Sequence, residues 1–185
     1  MFPSTTTFVV ETPLPPSATS SSILRILHDH DTLVRLGPLF VSCRVVSPPS
    51  PSNDDVAATA APSTTTGTSA GVTATYEVTE SIPLLPGGLW RTRTVFAAEF
   101  TDLPDGLRTV VRASLGVAAT ARWLVDGGGE DNGEGGGPVR LREEVEVRCS
   151  GFLIPFVKRT MKVSHEALHG RLMELCEKQQ QQPEQ

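Results

Sequence analysis

The clearest indication of the fold comes from FLIPFVKRTMKVSHEALHGRLMELCEK, residues 152–178. Its apolar and small side chains recur every three or four residues, a spacing that places them on one stripe of an α-helix. The stripe consists of Val157, Met161, Ser164, Leu168, Leu172 and Leu175. Pro155 is compatible with a helix because it falls in the first turn. The segment therefore predicts a long amphipathic C-terminal helix whose stripe must pack against an apolar surface.

The segments before this helix supply such a surface, because they alternate apolar and polar residues as half-buried antiparallel strands do. In residues 139–149, Leu141, Val145 and Val147 share one face, and charged side chains occupy the other. The predicted strands are residues 5–11, 39–47, 71–82, 89–100, 107–117, 119–126 and 139–149. A sheet with one apolar face must have that face covered, and the C-terminal helix is the obvious cover.

The run LHDHDTLVRLGPL, residues 27–39, places two histidines and two aspartates side by side and raises the question of a metal site. Residues 17–27 have helical spacing, and Asp29 or Asp31 is a suitable cap for a second short helix that ends at Gly37. Four contiguous candidates do not converge on one side of a helix, and a strand-rich chain offers no helical scaffold for further ligands. The run is interpreted as a hinge between two short helices, and neither a metal nor another cofactor is predicted.

A strand, two short helices, a succession of antiparallel strands and one long C-terminal helix resemble the helix-grip fold of the START and polyketide-cyclase-like (SRPBCC) superfamily. Residues 27–39, the Trp90 strand, SLGVAATARW (114–123) and CSGFLIPFVKRTMKVSHEAL (149–168) also resemble a fungal branch of that superfamily, whose activity the resemblance does not supply. The resemblance implies an α+β fold in which a curved antiparallel sheet of about six or seven strands wraps around the C-terminal helix. Members typically enclose a deep cavity that binds sterols, lipids, hormones or polyketides, and some catalyse cyclisation or dehydration.

The length of 185 residues suits one domain, which is predicted to occupy residues 1–178. Residues 47–70 are rich in Pro, Ser, Thr and Ala, and residues 126–138 consist mainly of Gly and acidic residues. Neither segment can bury enough apolar surface to offset the entropy of ordering it, so both are predicted to be disordered insertions. Residues 179–185 are predicted to be a disordered tail for the same reason.

Charge and composition narrow the classes of partner. The net charge is −5, from 16 basic and 21 acidic residues, and no basic face with interleaved aromatics is apparent, so nucleic acid is not an expected partner. No apolar run approaches about 18 residues, and the start lacks a secretory pattern, so neither an integral membrane segment nor secretion is expected. Three widely spaced cysteines fit reduced thiols in a cytoplasmic protein. Lys158, Arg159 and Lys162 form a basic patch that is either a solvated helix face or a contact for anionic lipid head groups.

Polar residues on predicted apolar faces are the candidates for chemistry. Glu143 shares its face with Leu141 and Val145, Glu80 lies on an apolar strand face, and His165 lies at the margin of the helix stripe. A carboxylate on an apolar face is costly unless it is paired or protonated, and desolvation raises its pKa, as a general acid or base requires. The alternative for each residue is structural: a carboxylate can pair with an arginine or reach solvent, and the histidine can sit satisfied at the helix edge.

The leading hypothesis is that the protein binds, and by extension transports, a hydrophobic small molecule such as a lipid, sterol or polyketide between sheet and helix. Strand parity gives the expected lining as Tyr76, Trp90, Thr92, Thr94, Phe96, Val111, Leu115, Trp123, Glu143 and Met161. One alternative is a cyclase-like or dehydratase-like enzyme that acts on a polyketide or terpenoid through Glu143, Glu80 or His165. Another is a protein–protein adaptor, which predicts a filled core and a large apolar surface patch. The sequence does not define the oligomeric state.

Overall fold

The structure, a computed structural model, describes residues 3–16, 18–51, 71–83, 90–127 and 139–181. Its elements in chain order are β1 (Pro3–Pro13), α1 (Ser20–His28), α2 (His30–Leu36), β2 (Phe40–Pro51), β3 (Val72–Pro83), β4 (Arg91–Leu103), β5 (Gly106–Arg112), a 3-10 turn (Ser114–Gly116), β6 (Ala118–Asp126), β7 (Arg140–Ser150) and α3 (Ile154–Gln181). Within these residues, no helix combines the length and the apolarity needed to cross a bilayer.

The seven strands form one antiparallel sheet in the order β1-β7-β6-β5-β4-β3-β2. Strands β2 to β7 each neighbour the next strand in the chain, whereas β1 pairs with β7, with Phe8 opposite Val145. Helices α1 and α2 therefore carry the chain from one edge of the sheet to the other. Helix α3 packs against β1 and β7 and also contacts α2. This arrangement confirms the predicted α+β helix-grip class, with seven strands in a curved sheet and a long C-terminal helix.

The predicted alternation explains how one face of the sheet is buried. In β7, Leu141, Val145 and Val147 are fully buried, whereas Glu144 and Glu146 on the other face are exposed. The helices contribute the opposing side of this core. Among the described residues, their fully buried apolar side chains are Ile23 and Leu27 of α1 and Leu172 of α3.

The hinge interpretation of residues 27–39 is confirmed by the helix boundaries. Helix α1 begins at Ser20, three residues later than predicted, because Thr19 caps it through a capping box with Ser22. Asp29 separates the two helices, and its Oδ1 accepts the backbone N–H of Thr32 at 3.2 Å. At the end of α1, His28 Nε2 lies 2.9 Å from the carbonyl oxygen of Gly106, which ties the hinge to the sheet.

Two predicted strands have different bounds in the structure. The strand predicted at 107–117 ends at Arg112, because the chain turns at Leu115, whose φ of 61° is incompatible with an extended strand. The strand predicted at 89–100 begins only at Arg91, so Trp90 precedes it. The inward and outward alternation that assigned directions to Leu115 and Trp90 therefore does not apply to either residue.

The predicted insertions and tail also have different edges. Strand β2 continues to Pro51, inside the predicted insertion at 47–70, because Ser50 and Pro51 pair with Thr73 and Val72 of β3. Helix α3 continues to Gln181, inside the predicted tail. The remaining parts of the two predicted insertions, residues 52–70 and 128–138, and of the tail, residues 182–185, lie outside the described residues.

Replacement of Leu172 by alanine tests the packing of α3 on the sheet. Leu172 is fully buried, so Leu172→Ala should lower the free energy of unfolding by about 2–5 kcal/mol through lost burial and the space left behind. The measurement is urea unfolding followed by circular dichroism. Val163 lies on the exposed side of the same helix, so Val163→Ala should change stability by no more than about 0.5 kcal/mol. Equal effects of the two substitutions would contradict the placement of α3.

Candidate functional site

A cavity of about 330 Å³ lies between the sheet and the first half of α3. Strands β3 to β6, helix α2 and helix α3 all contribute to its mostly apolar wall. Its size falls within the range of about 300–1,000 Å³ that is usual for small-molecule sites.

Small inward-facing side chains on adjacent strands make room for this cavity. Ala98 of β4 lies opposite Val111 of β5, which lies opposite Ala119 of β6, so a row of small residues crosses the sheet. All three residues line the cavity. Because these side chains are too short to reach α3, the sheet and the helix remain apart at this level, whereas Leu172 fills the core nearer the end of the helix.

Seven of the ten residues predicted as lining lie on the cavity wall. They are Thr92, Thr94, Phe96, Val111, Leu115, Trp123 and Met161. The candidate acid–base residues Glu80 and His165 also lie on the wall, from the sheet and from α3 respectively. A role of any of these residues in binding stays a prediction.

The other three predicted residues lie elsewhere, each for a physical reason. Trp90 precedes β4 and is 65% exposed. Tyr76 faces inward but is buried against His30. Glu143 is inward-facing and fully buried, and it contacts His165 instead of the cavity.

Glu143 is the centre of a buried hydrogen-bond network. Its Oε1 accepts from Nδ1 of His165 at 2.7 Å, and its Oε2 accepts from Nε2 of His169 at 3.3 Å. The two histidines are four residues apart on α3, so both imidazoles reach the same carboxylate. The structural alternative for Glu143 was an arginine partner from a neighbouring strand, and the structure has two imidazoles of α3 in that place.

The network extends to β1 and to β6. Nδ1 of His169 also lies 2.9 Å from Oγ1 of Thr12, within hydrogen-bond distance. The indole of Trp123 stacks on the rings of His165 and His169, with centroid distances of 6.3 Å and 5.0 Å. The carboxylate therefore links α3 to β7 directly and to β1 through His169. Among the described residues, the buried Nε1 of Trp123 has no hydrogen-bond partner.

The protonation states of Glu143 and His165 follow from their contact. Burial by itself raises the pKa of Glu143, but the charges and hydrogen bonds of His165 and His169 outweigh it and hold the pKa below its usual range. Burial likewise lowers the pKa of His165, but the Glu143 carboxylate, with a smaller contribution from Glu80, raises that pKa above its usual range. The contact therefore favours an ionised carboxylate beside a protonated imidazole.

The pKa of Glu80 is shifted in the opposite direction to that of Glu143. Burial raises the pKa of the Glu80 carboxyl group, and the charge of His165 offsets this only in part. A carboxyl group with a raised pKa keeps its proton to higher pH and can donate it to a ligand in the cavity. His165, with Nδ1 bonded to Glu143, has only Nε2 left to interact with a bound molecule. The site thus combines a potential proton donor on the sheet with an oriented imidazole on the helix.

A second buried polar group was not predicted. His30, at the start of α2, is buried, with Nε2 at 2.9 Å from Oδ1 of Asp102 and Nδ1 at 3.3 Å from the Tyr76 hydroxyl. Its ring also packs on Phe100, at a centroid distance of 5.0 Å. The spacing of His30 and Leu33 by three residues, which puts both on one side of α2, is the sequence signal that could have indicated this burial. His30 does not line the cavity, so its observed contacts anchor α2 to the sheet.

Comparisons with known proteins identify a family and a fold. The sequence model of the family described as "Domain of unknown function (DUF7053)" matches residues 3–178. No curated protein matches the sequence. The crystal structure of TTHA0849 from Thermus thermophilus is similar, with a TM-score of 0.57 and 14% identity over 92% of this chain and 97% of that one. That of Ara h 8.0201 has a TM-score of 0.49 and 13% identity over 92% of this chain and 99% of that one.

Replacement of Glu143 by glutamine tests the network through its pH dependence. The raised pKa of His165 means that its stabilising contribution is complete below the ordinary histidine pKa of about 6.5 and is lost as the pH rises through the raised value. The lowered pKa of Glu143 means that its contribution is present above the ordinary glutamate value and is lost as the pH falls through the lowered one. Glu143→Gln should therefore destabilise the protein most at pH values between the lowered pKa of Glu143 and the raised pKa of His165, by about 3 kcal/mol.

The measurements are urea unfolding across this pH range and NMR titration of the His165 ring, whose pKa should fall in the Glu143→Gln variant. Glu146 lies on the exposed face of the same strand, so Glu146→Gln is the matched control and should leave the His165 pKa unchanged. A His165 pKa that is the same with and without Glu143 would contradict the hydrogen bond between them.

Proposed function

This chain belongs to the DUF7053 family, and we propose that it binds a hydrophobic small molecule, such as a lipid, sterol or polyketide, in the cavity between the sheet and α3. The observation that carries the proposal is the cavity itself, which has an apolar wall and only a few polar groups. This composition is characteristic of small-molecule sites, where apolar contacts provide area and a few polar groups fix orientation. The adaptor alternative required a filled core, and the cavity does not support it.

The distribution of polar groups indicates how a ligand would lie. Burial of apolar area contributes roughly 25 cal/mol per Å², so most of the affinity would come from contacts with the apolar wall. Glu80 and His165 would contact a hydroxyl or carbonyl group of the ligand and fix its direction in the cavity. A carrier needs no more than this, so transport is compatible with the same site.

Two experiments test the binding proposal: a search for a bound molecule and a substitution that fills the cavity. Native mass spectrometry of freshly purified protein, before and after organic extraction, should detect a co-purifying hydrophobic molecule. The extracted protein should bind the apolar probe N-phenyl-1-naphthylamine. Thr94 lines the cavity, so Thr94→Trp should weaken probe binding at least about tenfold by occupying its space. Val95 is the next residue and is exposed on the outer face, so Val95→Trp is the matched control. Equal binding by both variants would place the probe outside the cavity and contradict the proposal.

A second candidate function is acid–base catalysis on a bound polyketide or terpenoid, as a cyclase-like or dehydratase-like enzyme. The convergence of Glu80 and His165 on one cavity, with Glu143 behind His165, favours it. In a dehydration, His165 would first lose its own Nε2 proton, at a pH above its raised pKa, and that nitrogen would then take a proton from a carbon next to a carbonyl group. Glu80 would protonate the departing hydroxyl group, so that a carbon–carbon double bond and water form. Glu143 would act as a positioning residue that orients the imidazole.

This second function is testable with a synthetic linear poly-β-ketone thioester, whose uncatalysed cyclisation and dehydration products are separable by chromatography. An enzyme should change the product ratio, and Glu80→Gln and His165→Gln should each reduce the catalysed rate by about a hundredfold or more. Glu146→Gln should not change it. A product ratio that is identical with and without the protein, in a preparation that binds N-phenyl-1-naphthylamine, would favour a binding protein over an enzyme for this class of substrate.

A further inference from the structure

We propose that the rim of the cavity docks onto an anionic membrane surface. The docking rim is defined here as Leu115 of the 3-10 turn, Phe152 of the β7–α3 turn, and Phe156, Arg159 and Lys162 of α3. The proposal goes beyond ligand binding, because it concerns the outer surface through which a ligand would enter or leave.

The apolar part of the rim combines exposure with proximity to the cavity. Leu115 and Phe156 line the cavity and are nevertheless 82% and 40% exposed, so they lie where it meets the surface. Phe152 is 84% exposed and immediately precedes Leu153, another lining residue. The 3-10 turn packs beside β7, which leads directly into the turn that carries Phe152. Three large apolar side chains are therefore presented to solvent around one opening.

Leu115 is held there at a conformational cost. Its φ of 61° lies in the left-handed region, which a branched side chain rarely adopts, and Gly116 follows at 69°. This backbone presents a leucine side chain to solvent, where it gains little from burial. Backbone strain of this kind is concentrated at functional positions, and here an external apolar partner would provide the missing contacts.

The charge of the rim favours an anionic partner. Residues 152–163 contain Lys158, Arg159 and Lys162 and no acidic residue, although the whole chain carries a net charge of −5. Phe156, Arg159 and Val163 follow one another at three- and four-residue spacing on the exposed side of α3. Lys162 is also exposed, at 3.8 Å from Glu166 in a solvated pair that contributes little.

A phospholipid surface supplies both kinds of contact at once. Aromatic and aliphatic side chains insert into the boundary between head groups and acyl chains, while lysine and arginine remain at the anionic phosphates. Each basic residue near such a surface adds to the attraction, which salt weakens. Docking would bring the cavity opening against the phase in which hydrophobic molecules are dissolved.

Vesicle co-sedimentation tests the proposal with the full chain. Wild-type protein should bind vesicles of phosphatidylcholine with phosphatidylserine, bind pure phosphatidylcholine more weakly, and dissociate as salt is raised. Phe152→Ser should weaken binding at least about tenfold, because the phenylalanine side chain that docking would bury in the lipid is lost. Arg159→Gln with Lys162→Gln should weaken binding to the anionic vesicles by at least about tenfold and reduce its salt dependence.

Matched controls separate the rim from general effects of charge and apolarity. Val45 and Val46 of β2 are exposed and do not line the cavity, so Val45→Ser with Val46→Ser should leave binding unchanged. Arg25→Gln with Arg140→Gln changes the net charge as much as the α3 pair does, at two other exposed positions, and should have a small effect. Equal losses in the rim and control variants would overturn the proposal.

Two further results would overturn the docking proposal and show what the rim does instead or which proposal has failed. If wild-type protein does not bind vesicles, and sedimentation velocity shows a dimer that Phe152→Ser dissociates, the rim contacts a second copy of the chain. If wild-type protein binds N-phenyl-1-naphthylamine but neither vesicle type, docking fails while the cavity proposal stands. Vesicle binding with the expected losses in a protein that does not bind the probe would support docking and reject the cavity proposal alone.

Discussion

The burial of one carboxylate constrains the rest of the structure. Glu143 is fully enclosed, and an ionised group in that position needs hydrogen bonds to both of its oxygen atoms. His165 and His169 provide them only when α3 presents one particular side to β7. The rotation of the helix is thereby fixed, and with it the identity of the α3 residues that face the cavity. A purely apolar stripe would allow the helix to slide or turn at a smaller cost, because apolar contacts are not directional.

Helix α3 has two parts that pack differently against the sheet. Towards its C-terminal end, Leu172 and Cys176 are buried and fill the space against the sheet. Towards its N-terminal end, Val157 and Met161 face a cavity whose floor is lined by alanines. The Glu143 network lies between these two parts, so the packed part can hold the helix while the other part leaves space. Stability and cavity volume therefore depend on different residues of the same helix.

Much of the fold could be predicted from the sequence, because the strands alternate regularly and α3 has a clear stripe. Parity placed Thr94, Val111 and Trp123 on the inward face, where the structure also has them. It misled at Trp90 because the strand had not begun there. The partners of Glu143 and His30 were not predictable in the same way, since they lie on other elements, α3 for Glu143 and β3 and β4 for His30. Parity gives the direction of a side chain but not the neighbour that another element brings to it.

The pairing of β1 with β7 has a consequence for the order in which the chain can assemble. Thr12 and His169 meet although 157 residues separate them, and the whole of β1 pairs with a strand made after all the others. During synthesis, the meander from β2 to β6 can form local hairpins as it emerges, but β1 has no strand partner until β7 appears. A nascent chain therefore carries an unpaired strand edge until β7 has been made, which is the kind of surface that chaperones cover. Strand β7 and helix α3 then close the sheet and the core together.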